Sequence, residues 1–107
     1  MIKNAQIDKT KLGMEEGYFT CWLFLSYGAS HSQGFGGYGL GDKWCSSFIK
    51  EILKVAGVED WEELSGRMIR VELDTDDFSG KIIKIGNILD DVWFDPKELA
   101  KKLGVDK

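Results

Sequence analysis

The chain is poor in the residues that build metal centres and disulfide frameworks. Its 107 residues include two cysteines and one histidine. Cys21 and Cys45 lie in apolar surroundings with neither a Cys-x-x-Cys spacing nor a neighbouring histidine, so we expect two reduced thiols. One histidine, His31, cannot form a multi-histidine zinc site. We therefore predict no metal site and no cofactor.

Positive charge and long apolar runs are also scarce. Only two of the 14 basic residues are arginines, and the formal net charge is -4. This balance excludes a protein that wraps duplex DNA with a basic surface, so no duplex binding is expected. No apolar run approaches the roughly 20 residues of a membrane helix, and the N-terminus does not begin like a signal peptide. We expect one cytoplasmic domain over residues 1–107 that makes no membrane contact.

The first half of the chain is rich in strand-forming residues. Weak alternation over residues 3–9 is typical of an edge strand. Residues 18–27 are apolar on both faces, which predicts a central strand covered by a helix on one side and a second subunit on the other. Alternation predicts two further strands over residues 67–73 and 81–85, joined by a hairpin turn over 74–80.

Two helices follow from spacing and capping residues. Asp42 is a suitable N-cap for a helix whose apolar residues recur every three or four positions as far as Gly57. A short helical turn is expected over residues 60–65, and Asp95-Pro96-Lys97-Glu98 predicts a final helix over 96–103. The order β-β-β-α-β-β-α predicts an α+β fold, a mainly antiparallel sheet with two main helices packed on it.

Residues 26–41 contain six glycines. Gly34-x-Gly36-x-x-Gly39 formally matches a dinucleotide-binding fingerprint, but that motif needs a parallel strand after the helix, and none is predicted. Two interpretations stay open: a glycine-lined surface that admits a ligand or another backbone, and a structural strand beneath an aromatic ring. For the first interpretation the candidate ligand-binding residues are Gln33, Gly34, Phe35, Gly36 and Tyr38.

Three later residues have side chains suited to a nucleotide. Arg70 lies on the polar face of its strand and can hold a phosphate with a bidentate fork, or pair with Glu72 instead. The Asn87 amide offers a donor and an acceptor to a base edge, although asparagine there commonly fixes a turn. Trp93 offers a stacking surface, or packs at the entry to the last helix. Arg70, Asn87 and Trp93 therefore join the candidate ligand-binding residues.

Short motifs occur along nearly the whole chain. They are Ala5-Gln6-Ile7 with Leu12-Gly13, Gly17-Tyr18-Phe19-Thr20, Gln33-Gly34-Phe35-Gly36-Gly37-Tyr38, Gly57-Val58-Glu59-Asp60-Trp61-Glu62, Leu64-Ser65-Gly66, Ile85-Gly86-Asn87 and Trp93-Phe94-Asp95-Pro96. A chain with these motifs resembles the first family of Thoeris anti-defence proteins of phages. It departs from the family pattern in lacking a histidine before Gly17 and in its short connection from Gly41 to the first helix.

Members of that family bind and sequester cyclic ADP-ribose isomers, the signals with which a bacterial TIR enzyme triggers defence. The resemblance implies a homo-oligomer in the host cytoplasm, with ligand pockets near subunit interfaces. The leading hypothesis is a non-enzymatic protein that binds such a cyclic nucleotide without cleaving it. Two alternatives remain: an acidic protein–protein inhibitor of a bacterial defence system, such as an anti-CRISPR, and an enzyme that degrades the signal with Glu15 or Glu16 as base.

Overall fold

The computed structural model describes residues 1–28 and 31–105, so positions 29 and 30 of the glycine-rich stretch lie outside the described residues. Within these ranges there are six strands and two α-helices: β1 (Ile2–Glu15), β2 (Tyr18–Ser26), β3 (Ser32–Gly36), α1 (Cys45–Ala56), β4 (Met68–Leu73), β5 (Ile82–Asn87), β6 (Trp93–Phe94) and α2 (Pro96–Leu103). The strands form one antiparallel sheet in the order β3-β2-β1-β4-β5-β6. The α+β fold predicted from the sequence is confirmed.

The strand β1 is longer than its sequence pattern indicated. It continues to Glu15, where a two-residue turn leads into β2. Glu16 and Gly17 have φ angles of 50° and 87°, and two successive positive φ angles are typical of the type I′ turn that joins twisted antiparallel strands. The first part of β1 also pairs with β4, so it lies inside the sheet rather than at an edge as predicted.

The two faces of β2 have different surroundings. Cys21, Leu23 and Leu25 point into the core beneath the helices and are almost fully buried. Trp22 and Phe24 point to the opposite face, where they are half-buried and stacked with their ring centroids 6.0 Å apart. The second subunit expected to cover this strand stays a prediction.

An aromatic cluster joins both ends of the sheet to α1. The ring of Phe48, on α1, lies 6.3 Å from Phe35 of β3 and 4.9 Å from Phe94 of β6, between centroids. Phe35 and Phe94 are themselves 6.2 Å apart although their strands lie at opposite ends of the strand order. The sheet therefore curls until its two edges approach each other under α1. β6 was not predicted, because two residues are too few to show alternation.

Capping residues and glycines determine where the two helices begin and end. α1 begins at Cys45, and its N-cap is Trp44 rather than the predicted Asp42. A turn precedes the helix, in which the Trp44 and Cys45 N–H groups donate to the Gly41 carbonyl. α2 begins as predicted, since the Asp95 carboxylate accepts the backbone N–H of Lys97 at 2.9 Å. Gly57 and Gly104 end the two helices with φ angles of 72° and 68°. Neither helix in the described ranges has the length and apolar character to cross a membrane.

Candidate functional site

The glycine-rich segment leaves β3 and continues beside β2. The Gly37 N–H donates to the Cys21 carbonyl and the Leu40 N–H to the Phe19 carbonyl, each at 2.8 Å. Gly36 and Gly37 adopt φ angles of 114° and 76°, which L-residues rarely reach. These two glycines therefore allow the chain to turn while it stays hydrogen-bonded to β2, and they carry Tyr38 towards the helices.

Tyr38 rests on the aromatic core. Its ring centroid lies 6.1 Å from that of Trp44 and 5.8 Å from that of Phe48. Trp44 is almost fully buried, and its indole N–H donates to the Gly39 carbonyl at 3.4 Å. Burial, together with the negative charge of Asp95, raises the pKa of Tyr38. The half-buried Tyr38 ring is thus held in a fixed position against Trp44 and Phe48.

A groove of about 700 Å³ opens beside Tyr38, and we call it the glycine groove. It is lined by Tyr38, Gly39, Trp44, Lys97, Ala100, Lys101 and Val105. Three of these residues come from α2, where spacings of three and four place them on one side of the helix. Because Ala100 is small and buried, the space between the two lysines and the aromatic rings stays open.

The glycine groove combines flat apolar surface with positive charge. Lys97 and Lys101 are exposed, and within residues 1–28 and 31–105 no carboxylate lines the groove, although the Asp95 charge acts on Tyr38. A second depression of about 600 Å³ shares Gly39, Trp44 and Val105 with it. There the ammonium of Lys43 donates to the Gly104 carbonyl at 3.4 Å. Such a surface suits an anion attached to a flat ring system, because ammonium groups bind phosphate and aromatic rings stack on bases.

Five of the sequence-predicted residues come together at the edge formed by β3. Gln33, Gly34, Phe35, Gly36 and Tyr38 line a small pocket of about 190 Å³ with Lys81 and Ile82. The Gln33 and Phe35 side chains are engaged within the protein, as is the Tyr38 ring on the aromatic core. Gln33 accepts a hydrogen bond from the Tyr27 hydroxyl at 2.7 Å and donates to the Gly80 carbonyl at 2.9 Å. Phe35 is 3% exposed, and its ring packs in the core rather than facing a ligand.

Gly34 of β3 and Gly37, just after it, lie beneath an aromatic ring. A β-carbon on Gly34 would stand 2.9 Å from the Trp22 ring, and one on Gly37 would overlap the same ring. A β-carbon on Gly36 would instead overlap the Cys21 carbonyl oxygen. This arrangement matches the structural interpretation of the glycine-rich segment at these positions, while Gly39 lies in the glycine groove.

Arg70, Asn87 and Trp93 form a separate group around the connection between β5 and β6. Arg70 donates from Nε to the Asn87 carbonyl at 2.7 Å and from Nη2 to the Asp90 carbonyl at 2.8 Å. Its guanidinium carbon lies 4.8 Å from the centroid of Trp93, whose ring covers Gly86. Through these contacts Arg70 stabilises the turn between β5 and β6. Arg70, Asn87 and Trp93 are not among the residues that line the glycine groove.

The Asn87 side chain is also occupied. Its Nδ2 donates to the Val55 carbonyl at the end of α1 at 2.8 Å. Its Oδ1 accepts the backbone N–H groups of Leu89 and Asp90 at 3.0 Å and 2.8 Å. Asn87 thus fixes the turn after β5 and ties it to α1, which is the structural role that sequence analysis kept open.

Glu15, one of the two carboxylates considered as a catalytic base, lies at the end of β1. It accepts the Trp22 indole N–H at 3.2 Å and pairs with Lys11 at 3.7 Å. Its neighbour Glu16 occupies the hairpin turn. Neither residue is among those that line the glycine groove.

The sequence pattern did not indicate Lys97, Lys101 and Trp44 as site residues. The spacing of four between the two lysines was visible, since it places both on one side of the final helix. The missing information was tertiary, namely that this side of α2 faces Tyr38.

Neither protein-family models nor curated proteins give a match to this chain.

Proposed function

We propose that this protein binds a cyclic ADP-ribose-type nucleotide in the glycine groove and sequesters it without cleaving it. The resemblance to the first Thoeris anti-defence family supplies the ligand class and the setting, a phage protein in the cytoplasm of its host. The proposal includes assembly into a homo-oligomer. Its role is that of a sponge, which lowers the free concentration of an immune signal.

The observation that carries the proposal is the meeting of Tyr38 with Lys97 and Lys101 in one groove. Cyclic ADP-ribose isomers contain a purine and a pyrophosphate. The ring of Tyr38 offers a stacking surface to the purine, and the two ammonium groups offer charge-assisted hydrogen bonds to the pyrophosphate. The groove volume of about 700 Å³ lies in the range of small-molecule sites.

Local charge supports an anionic ligand on an acidic protein. The formal net charge of the chain is -4, so anions are repelled at long range by most of the surface. The glycine groove departs from this background because, among the residues that the structure describes, the charged ones that line it are Lys97 and Lys101. The positive charge is therefore local to the groove, where it favours binding at one place.

A thermal-shift assay with cyclic ADP-ribose isomers, linear ADP-ribose and cyclic oligonucleotides tests this proposal. A ligand at about 100 times its Kd stabilises the folded state by roughly 2.7 kcal/mol, which raises Tm by on the order of 10 °C in a domain of this size. We expect that rise with a cyclic ADP-ribose isomer, and we expect the same compound to be recovered unchanged after heat release.

Two other results would contradict the proposal. Recovery of a linear product would favour the enzyme that degrades the signal. No shift with any compound would favour the acidic protein–protein inhibitor, whose partner would then be sought by its copurification with a defence complex.

A further inference from the structure

One long edge of β1 is left without a neighbouring strand. β1 pairs with β2 as far as Glu15, but its pairing with β4 ends at Gln6. A backbone hydrogen bond from Ile7 to the Arg67 carbonyl extends this contact by one residue. Beyond it, within the described ranges, the backbone of residues 11–15 has hydrogen-bond partners on the β2 side alone. We call residues 11–15 the open edge.

The hairpin geometry fixes which residues of the open edge point outwards. In a hairpin with a two-residue turn, the residues that flank the turn, here Glu15 and Tyr18, form a hydrogen-bonded pair. Hydrogen-bonded pairs then recur at every second residue, so Gly13 and Lys11 also direct their backbone groups towards β2. Leu12 and Met14 therefore direct their N–H and C=O groups away from the sheet.

The sequence of the open edge is complementary to itself in antiparallel orientation. With Gly13 opposite Gly13 of a second copy, Leu12 lies opposite Met14 and Lys11 lies opposite Glu15. This register aligns the outward backbone groups of Leu12 and Met14 as hydrogen-bonded pairs. It also places opposite charges across from each other, and such cross-strand pairs stabilise a sheet.

The side chains of the open edge separate by face in the same way. Lys11 and Glu15 share one face, as their 3.7 Å ion pair within the chain shows. Leu12 and Met14 are on the other face, opposite Cys21 and Phe19 of β2. They are 39% and 65% exposed, which is high for apolar side chains beside a core.

We propose that the open edge pairs with the open edge of a second copy, joining two sheets into one continuous antiparallel sheet across a twofold axis. Full charge complementarity to this edge requires an antiparallel strand with a cation opposite Glu15 and an anion opposite Lys11. A second copy of this chain meets each of these requirements. The pairing does not involve the glycine groove, so the proposal does not rest on the proposed ligand.

Disulfide trapping at Gly13 tests the register. A β-carbon on Gly13 meets no atom within 4 Å, so Gly13→Cys fits the fold. In the proposed pair the two position-13 Cα atoms are about 4.5 Å apart, within the range that a disulfide spans. In the matched control Lys11→Cys the two positions are displaced by four residues, roughly 13 Å, and cannot be bridged. Both variants carry Cys45→Ser, because Cys45 is half-buried whereas Cys21 is 1% exposed.

We expect a covalent dimer from Gly13→Cys under mild oxidation and none from Lys11→Cys. Equal cross-linking of both variants would indicate random collision and overturn the proposal. No cross-link from Gly13→Cys would overturn it as well, provided that circular dichroism shows the variant folded.

Charge reversal gives an independent test by sedimentation over a concentration series. Lys11→Glu and Glu15→Lys each place like charges across the twofold axis, so each raises the dimer Kd by about tenfold. The double variant Lys11→Glu/Glu15→Lys restores opposite charges and returns the Kd towards that of the wild type. A monomeric wild type, or a double variant no tighter than the single ones, would overturn the proposal.

Discussion

The indole ring of Trp22 lies across Gly34 so closely that a β-carbon on Gly34 would stand 2.9 Å from its Cζ3 atom. Trp22 is on β2 and Gly34 on β3, and the two residues are on the face of the sheet opposite the helices. The indole N–H is tied to Glu15 at 3.2 Å, so the ring cannot swing away without losing this bond. The glycine at position 34 of β3 thus follows from packing beneath a fixed ring, whereas Gly36 is required by the nearby Cys21 carbonyl.

Replacing Gly34 with alanine tests this packing. We expect Gly34→Ala to lower the free energy of unfolding by about 1–3 kcal/mol, as overpacking usually does. Gly13→Ala is the matched control, because a β-carbon there meets open space and φ is not positive. Urea denaturation measures both variants. A loss at Gly34 that persists in the Trp22→Ala background would show that the indole ring is not its cause.

Asn87 gives a second prediction about stability. Because its amide makes three hydrogen bonds to backbone groups, Asn87→Ala should lower the free energy of unfolding by about 2–3 kcal/mol. The control is Asn4→Ala, since Asn4 is at an exposed position of β1. This substitution should change the free energy of unfolding by less than about 0.5 kcal/mol. Ligand affinity of folded Asn87→Ala should equal that of the wild type, and a large drop in affinity would place Asn87 in the binding site.

Alkaline pH provides a third prediction, based on Cys21. Burial, with a smaller effect of Cys45, raises the pKa of the Cys21 thiol to about 12. The unfolded chain loses this proton near pH 8.5, so above that pH the unfolded state binds fewer protons than the folded state. The free energy of unfolding should therefore fall as pH rises from about 9 to 12, by up to about 1.4 kcal/mol per pH unit.

Denaturation curves of the wild type and of Cys21→Ala at pH 8 to 11 isolate this contribution. Burial also raises the pKa of Tyr27 to about 12, and this adds to the decline in both proteins. At pH 8 the free energy of unfolding of Cys21→Ala should be lower than that of the wild type. As pH rises to 11 it should fall less steeply than in the wild type. Parallel slopes for the two proteins would contradict the assignment to Cys21.

The fold was predictable where local chemistry determines structure. Asp95 and Pro96 set the start of α2, and alternation predicted β4 because one face of it is buried. The length of β1 was missed, because Gly13 lies within residues 11–15 and glycine is depleted in strands, although Leu12 and Met14 alternate there with polar residues. The start of α1 was predicted too early. The backbone N–H groups of Trp44 and Cys45 donate to the Gly41 carbonyl, so a turn occupies the position where Asp42 was expected to cap the helix.

The candidate site was predictable only in part. Tyr38 was singled out from the glycine-rich segment and does line the groove, but its companions Lys97 and Lys101 come from a helix at the other end of the chain. Arg70 was predicted to bind phosphate because its guanidinium donates several hydrogen bonds. In the structure it donates them to the backbone carbonyls of a turn. A sequence shows which side chains can hold a phosphate, while their partners depend on the tertiary fold.

The most direct test of the binding proposal is calorimetric titration of a cyclic ADP-ribose isomer into the wild type and two variants. Lys97→Ala/Lys101→Ala removes both cations of the glycine groove, whereas Lys102→Ala removes one from the other side of α2, where it lines a different cleft. We predict a Kd raised by about tenfold or more for each groove lysine removed and unchanged for Lys102→Ala. Equal affinity in all three proteins would contradict the assignment of the ligand to the glycine groove.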